Sequence, residues 1–249
     1  MANNFKYKKI LFDPSSKEPF KLSRSKIDLF SKCPRCFYLD RRLGVSQPSM
    51  PGFSLNSAVD HLLKKEFDIH RAKETSHPLM SHYGLNFVPF NDERIDDWRN
   101  NRRGIQYLHE PTNFLVFGAI DDVWIDGNKK LYIVDYKSTS TQEEITLDGE
   151  YKESYKRQME VYQWLFRKNG FDVSNTGYFV YCNGKKDREA FDGKLEFSVE
   201  IIPYQADDSW VEPIIIKIKK VLDSEEIPQP NPVCEYCNYR KLAYEKENG

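Results

Sequence analysis

The chain has 249 residues, 39% hydrophobic and 30% charged, and its 37 Lys and Arg against 38 Asp and Glu give a formal net charge of −1. That length buries a substantial core as one domain, and the balance of charge speaks against a uniformly basic nucleic-acid binder, so phosphate binding would need positive charge gathered on one face. No apolar run approaches the length of a membrane span, and Met1 begins a polar segment unlike a signal peptide; the cytoplasm is the expected location, and the five cysteines are expected there as thiols or metal ligands.

Residues 1–20, with Pro14 and Pro19, read as an extended lead-in. Ser23 is placed to cap a helix carrying Ile27 and Phe30 and, beyond a cysteine pair, Phe37 and Tyr38. A break spans 44–52, with Pro48 and Pro51. Ala58, Leu62, Leu63 and Phe67 recur at helical spacing and predict a helix over 55–71. The segment 73–90, with Pro78, Gly84 and Pro89, reads as loop, and a short charged helix is expected over 92–102. Strands follow at 105–109, 114–125 and 130–136, the last two joined by the turn Asp126-Gly127-Asn128. An amphipathic helix over 150–168 is stopped by Asn169-Gly170. Strands at 177–182 and 195–202 and a helix over 207–222 complete the pattern, before Pro228, Pro230 and Pro232 straighten the chain into Cys234. There is no internal repeat.

The most informative stretch is GAIDDVWIDGNKKLYIVDYK, residues 118–137. Asp121 follows one apolar run, and Gly118 permits a close approach of backbone. Asp135 ends the run Leu131-Tyr132-Ile133-Val134, where an ionised group is costly unless a metal or partner compensates it. Lys137 shares the face of Asp135. Folded as a hairpin, Asp121, Asp135 and Lys137 converge on one edge. Two carboxylates can hold a hard divalent cation, and an ammonium beside them can steady a water or a developing phosphate charge. Asp122 points to the opposite face, as a supporting or surface group. Gln158 and Tyr162 lie one helical turn apart on one face, an amide and a hydroxyl that can bond a water or a phosphate. Arg41-Arg42, Arg99 with Arg102 and Arg103, and Lys152 with Lys156 and Arg157 are clusters that mark either a solvated face or a phosphate path.

Cys33-Pro34-Arg35-Cys36 and Cys234-Glu235-Tyr236-Cys237 present two pairs of thiolates at a spacing suited to tetrahedral zinc or an iron–sulfur cluster. Such a centre would join the two ends of the chain and contribute to folding. Cys182 falls within a strand and is expected to be buried and inert.

Together, Gly118-x-x-Asp121, Asp135-x-Lys137 and Gln158-x-x-x-Tyr162 resemble the successive motifs of the PD-(D/E)xK nuclease superfamily, in its RecB-like branch, which includes the CRISPR-associated exonucleases and the AddB nuclease domains. The resemblance runs from about Ser23 to Arg240. It implies an α/β, restriction-endonuclease-like fold, a mixed sheet flanked by helices, with N- and C-terminal segments joined at a four-Cys metal site. The expected organisation is one nuclease domain over 1–249: lead-in (1–20), helical part with the first Cys pair (21–72), catalytic core (104–202), and C-terminal helix with the second Cys pair (205–249).

The resemblance implies that Asp121 and Asp135 bind Mg²⁺ or Mn²⁺, that Lys137 assists the attacking water, and that Gln158 and Tyr162 shape the wall on the DNA side. A metal-binding His that such nucleases carry upstream falls by register at Asp60, with the adjacent His61 as the alternative, about 100° around the helix. Cys33 to Leu39 and Cys234 to Arg240 resemble the segments that hold a [4Fe-4S] cluster in this branch. Where its last Cys would fall the chain has Ala243, and Cys36 is additional, so Zn²⁺ stands as the alternative to the cluster. The function implied is exonucleolytic hydrolysis of single- or double-stranded DNA in repair, recombination or CRISPR-type processing, with a helicase or other DNA-processing protein as partner and no membrane. The alternative is an inactive nucleic-acid-binding or structural subunit.

Overall fold

The computed structural model describes residues 10–49, 52 and 54–249; residues 1–9 of the expected lead-in, and Met50 and Pro51 of the expected break, lie outside the described residues. Along the chain run β1 (Phe20–Ser23), α1 (Arg24–Lys32), α2 (Pro34–Arg41), α3 (Ser54–Lys73), α4 (Pro78–His82), β2 (Phe87–Pro89), α5 (Ile95–Arg99), β3 (Ile105–His109), β4 (Phe114–Gly118), β5 (Asp122–Asp126) and β6 (Leu131–Thr139). They are followed by α6 (Glu150–Lys168), β7 (Thr176–Gly184), β8 (Phe197–Gln205), α7 (Val211–Asp223) and α8 (Glu235–Asn248). No helix among the described residues is long and apolar enough to cross a membrane. The chain divides into two compact units, one of Met1–Met50, Leu108–Leu115 and Glu212–Gly249, the other of Pro51–Tyr107 and Val116–Val211.

The larger unit is built on a mixed five-stranded sheet of order β2-β5-β6-β7-β8. β5 and β6 form an antiparallel hairpin with Asp122 opposite Val134 and Ile125 opposite Leu131. The Asp126 carboxylate accepts the N–H groups of Asn128 and Lys130, which closes the turn. β6 and β7 are parallel, so the chain must cross over between them, and α6 is the crossover. Alternation along the strands sends Val134, Tyr136, Tyr178, Val180 and Cys182 into one core with Leu63 and Phe67 of α3. There the rings of Phe67, Trp124 and Tyr178 stack in succession. Asp135 and Lys137 therefore point to the opposite face, where α6 lies, its Met159 packed against Gly177.

The smaller unit gathers Phe12, Phe20 and Phe114 edge to face and buries Ile215, Ile218 and Leu222 of α7. His109 donates or accepts at both ring nitrogens, 2.8 Å from Thr112 Oγ1 and 2.8 Å from Glu212 Oε1. The Tyr38 hydroxyl donates to the Ser224 carbonyl at 2.9 Å.

Several local expectations change. The helix expected through the first cysteine pair is two helices, because the residue before Pro34 is driven out of the helical region: Cys33 has φ −160 and ψ 105. Ser23 occupies the cap position of α1 without a side-chain capping bond. Leu62 is exposed whereas Leu63 and Phe67 are buried. The strand expected over 114–125 breaks after Gly118 and resumes at Asp122, and the segment read as loop over 73–90 holds α4 and β2.

Candidate functional site

The break between β4 and β5 is made by backbone. Gly104, at φ +62, lies so near the Gly118 carbonyl that a Cβ would come within 2.3 Å of its oxygen. Ile120 N–H donates to the Trp98 carbonyl and Arg99 Nε donates to the Asp121 carbonyl, at 3.1 and 2.9 Å. Residues 119–121 are thus drawn off the sheet ladder, and the Asp121 side chain is delivered to the end of the β5–β6 hairpin.

Asp121 stands at the centre of a group of charges. Its Oδ2 accepts the Tyr136 N–H at 2.9 Å, which sets it beside the β6 residues on either side of Tyr136. Its Oδ1 accepts from Lys64 Nζ at 3.1 Å, and the same ammonium donates to Asp60 Oδ2 at 2.8 Å. Asp60 and Lys64 are one turn apart on α3, while His61 is exposed. On the face of β6 turned away from the Tyr136 ring, the fully buried Asp135 pairs with Lys137. Lys137 Nζ also donates to Gln158 Oε1 at 3.4 Å and lies 4.4 Å from the centre of the Tyr155 ring. Gln158 Nε2 donates to the Tyr162 hydroxyl at 3.1 Å; Tyr162 is itself buried and meets the group through Gln158. The sequence-derived residues Asp60, Asp121, Asp135, Lys137, Gln158 and Tyr162 are accordingly linked in space, and His61 is not.

The electrostatics favour cations. Burial works to raise the Asp121 carboxyl, but Lys64, Lys137 and the Tyr136 N–H outweigh it and hold it below the ordinary carboxylate range. Asp60 is shifted the other way, by burial and by the negative charge of Asp121. Burial opposes the Lys64 ammonium, yet Asp121 and Asp60 more than compensate and raise it. Asp60, Asp121 and Asp135 are the hard oxygen donors that Mg²⁺ or Mn²⁺ prefers, so the donor set fits a divalent cation in kind, and an ammonium already stands between the first two.

Two features escaped the sequence reading. Lys64 and Tyr155 join the site through spacings that are legible in principle, four residues after Asp60 and three before Gln158. Asp122 does face away from Asp121, but it is fully buried and not a surface group. Its carboxylate receives Arg71, Arg99 Nη2 at 3.2 Å and the Tyr136 hydroxyl at 2.7 Å. Arg99 also grips Asp68 at 2.8 Å, so this arginine belongs to an interior ion-pair network and not to a phosphate path.

In the smaller unit Cys33, Cys36, Cys234 and Cys237 are free thiols whose sulfurs all lie within 4.8 Å of one another. Cys33 and Cys234 are the N-caps of α2 and α8, so each C-x-x-C pair wraps a helix N-terminus, where thiolate is favoured. Burial pushes Cys33 up, but the backbone N–H groups of Cys36 and Asn231 bring it down to about 7. Burial pushes Cys36 up and takes Cys237 to about 11. The Cys33 thiolate forms readily, whereas burial disfavours those of Cys36 and Cys237 unless a cation is present. Among the described residues, this is the one group of three or more potential ligands gathered so closely; the site can bind a metal. Cys182 lies apart in the core of β7, raised to about 11 by burial.

No curated protein matches the chain. The crystal structure of SSO0001 is similar at 17% identity over 91% of this chain and 87% of that one, with a TM-score of 0.44, a likeness too distant to assign anything. The sequence profile of the PD-(D/E)XK nuclease superfamily matches residues 56–242, which include Asp60, Lys64, Asp121, Asp135, Lys137 and Gln158. The superfamily comprises metal-dependent nucleases, and the match spans three quarters of the sequence. The chain belongs to the PD-(D/E)XK nuclease superfamily.

Proposed function

We propose that the protein is a RecB-like exonuclease that hydrolyses DNA with Mg²⁺ or Mn²⁺. The observation that carries this reading is that Asp121 accepts the N–H of Tyr136, the residue between Asp135 and Lys137, and feels the charge of Lys137, which is itself paired with Asp135. Asp121 and Asp135 are the residues to hold the cation. When bound, it would polarise the scissile phosphate and make a water nucleophilic near neutral pH. Lys137 is the residue to orient that water and to offset charge on the phosphate, and the Gln158 amide and Tyr155 ring fix its ammonium in place. No side chain here need form a covalent intermediate. DNA as substrate, the exonucleolytic mode and a helicase or similar partner rest on the resemblance of the motif set.

The sulfur separations bear on the second metal. A tetrahedral ion with bonds of about 2.3 Å places its sulfurs about 3.8 Å apart; Cys33–Cys237, Cys36–Cys234 and Cys36–Cys237 stand at 3.8, 3.6 and 3.6 Å, and all four sulfurs lie within 4.8 Å of one another. In a [4Fe-4S] cluster each cysteine binds a different iron, and the sulfurs stand farther apart. These distances support a single zinc-type ion over the cluster that the resemblance puts first.

End-labelled linear DNA and covalently closed circles, incubated with Mn²⁺ or EDTA, test the reading. Progressive loss of linear DNA with intact circles and no reaction in EDTA is expected. Equal cutting of circles would remove the exonuclease mode. DNA retained in a gel shift but uncut in Mn²⁺ would instead make the protein a binding subunit.

A further inference from the structure

We infer that Lys64 is a built-in cation filling the Asp60 half of the carboxylate site, so that the site takes one divalent ion, at Asp121 and Asp135, and not two. The inference rests on the nuclease reading and deepens it. Asp121 lies between two halves: on one side Asp60 with Lys64 from α3, on the other Asp135 with Lys137 from β6. In the first half Lys64 Nζ sits 2.8 Å from Asp60 and 3.1 Å from Asp121, bridging two carboxylates as a metal ion would.

The bridge is fixed by the fold and needs no ligand. Asp60 and Lys64 are paired by helical spacing, and the neighbouring Leu63 and Phe67 are buried in the core that holds α3 against β6. The Lys64 side chain is 19% exposed, leaving it little freedom to swing into solvent. Charge favours the same conclusion. Three carboxylates against two ammonium groups leave the site one negative charge, which a single divalent ion and one scissile phosphate bring to neutrality. A second divalent ion would add two uncompensated positive charges in a half-buried site, where such charges are poorly screened. Asp60 thereby becomes a positioning residue for Lys64, in place of the metal ligand that the motif register implies.

Mn²⁺ titration of the purified protein with its cysteine centre loaded, followed by calorimetry and electron paramagnetic resonance, reads ion number and affinity directly. Wild type and Lys64→Arg are expected to bind one ion at the carboxylates. Lys64→Gln should bind two, the first tighter by about tenfold through loss of a neighbouring like charge, and Asp60→Asn should keep one. Two ions in wild type, an unchanged Lys64→Gln, or loss of the ion in Asp60→Asn would overturn the inference. If Lys64→Gln does not fold, the wild-type count decides alone. Absence of Mn²⁺ binding in every protein, or binding indifferent to Asp121→Asn, would instead overturn the nuclease reading itself.

Discussion

At the scale of single residues, the chain concentrates burial cost around β6. Asp135 and Asp122 are both fully buried carboxylates, on opposite faces of the hairpin, and each is matched by cations, Lys137 for the first and Arg71 with Arg99 for the second. Removing one member of such a pair strands the other in a medium that cannot solvate it. Asp122→Ala is therefore expected to cost about 3–5 kcal/mol of folding stability, read by urea unfolding; a loss below about 1 kcal/mol would show that the network is relaxed or hydrated. The carboxylates and lysine of the site were legible because they fall in short motifs at fixed spacing. The Asp122 network was not, since Arg71 and Arg99 lie 51 and 23 residues away in sequence and nothing local announces their meeting.

At the scale of elements, the position of Asp121 depends on the close approach of two backbone segments. Gly104 is required there twice over, by its positive φ and by the Gly118 carbonyl at 2.3 Å from any Cβ. Gly104→Ala should destabilise the fold by more than about 1 kcal/mol and lower Mn²⁺ affinity by displacing Asp121. Gly127→Ala, with nothing within 4 Å, is the control and should change the thermal midpoint little. Equal effects of the two substitutions would deny the close approach its role. α6 was readable end to end, from its amphipathic period to its stop at Asn169-Gly170. β2 has three residues, too few to show alternation. α8 exposes Tyr239, Leu242 and Tyr244, so it carries no apolar stripe from which a packed helix could be read.

Across the whole molecule, residues separated by about 200 positions close the cysteine centre. The two C-x-x-C pairs announced it in the sequence, whereas the zinc proposed for it rests on sulfur separations that only the folded chain supplies. Purified protein is expected to be colourless with one zinc per chain. Cys33→Ser or Cys234→Ser should lose most of that zinc and melt earlier, because metal binding is coupled to folding, whereas Cys182→Ala should retain it. A brown protein absorbing near 400 nm would reverse the assignment.

The central claim is that Asp121, Asp135 and Lys137 form the phosphodiester-cleaving centre. Single-turnover cleavage of labelled linear DNA in Mn²⁺, by wild type, Asp135→Asn and Lys137→Ala in parallel with their melting curves, tests it most directly. The account predicts that both variants stay folded and lose at least about 10²-fold in rate, the scale of a positioned proton-transfer or metal-holding group. Folded variants that cut DNA at the wild-type rate would contradict it.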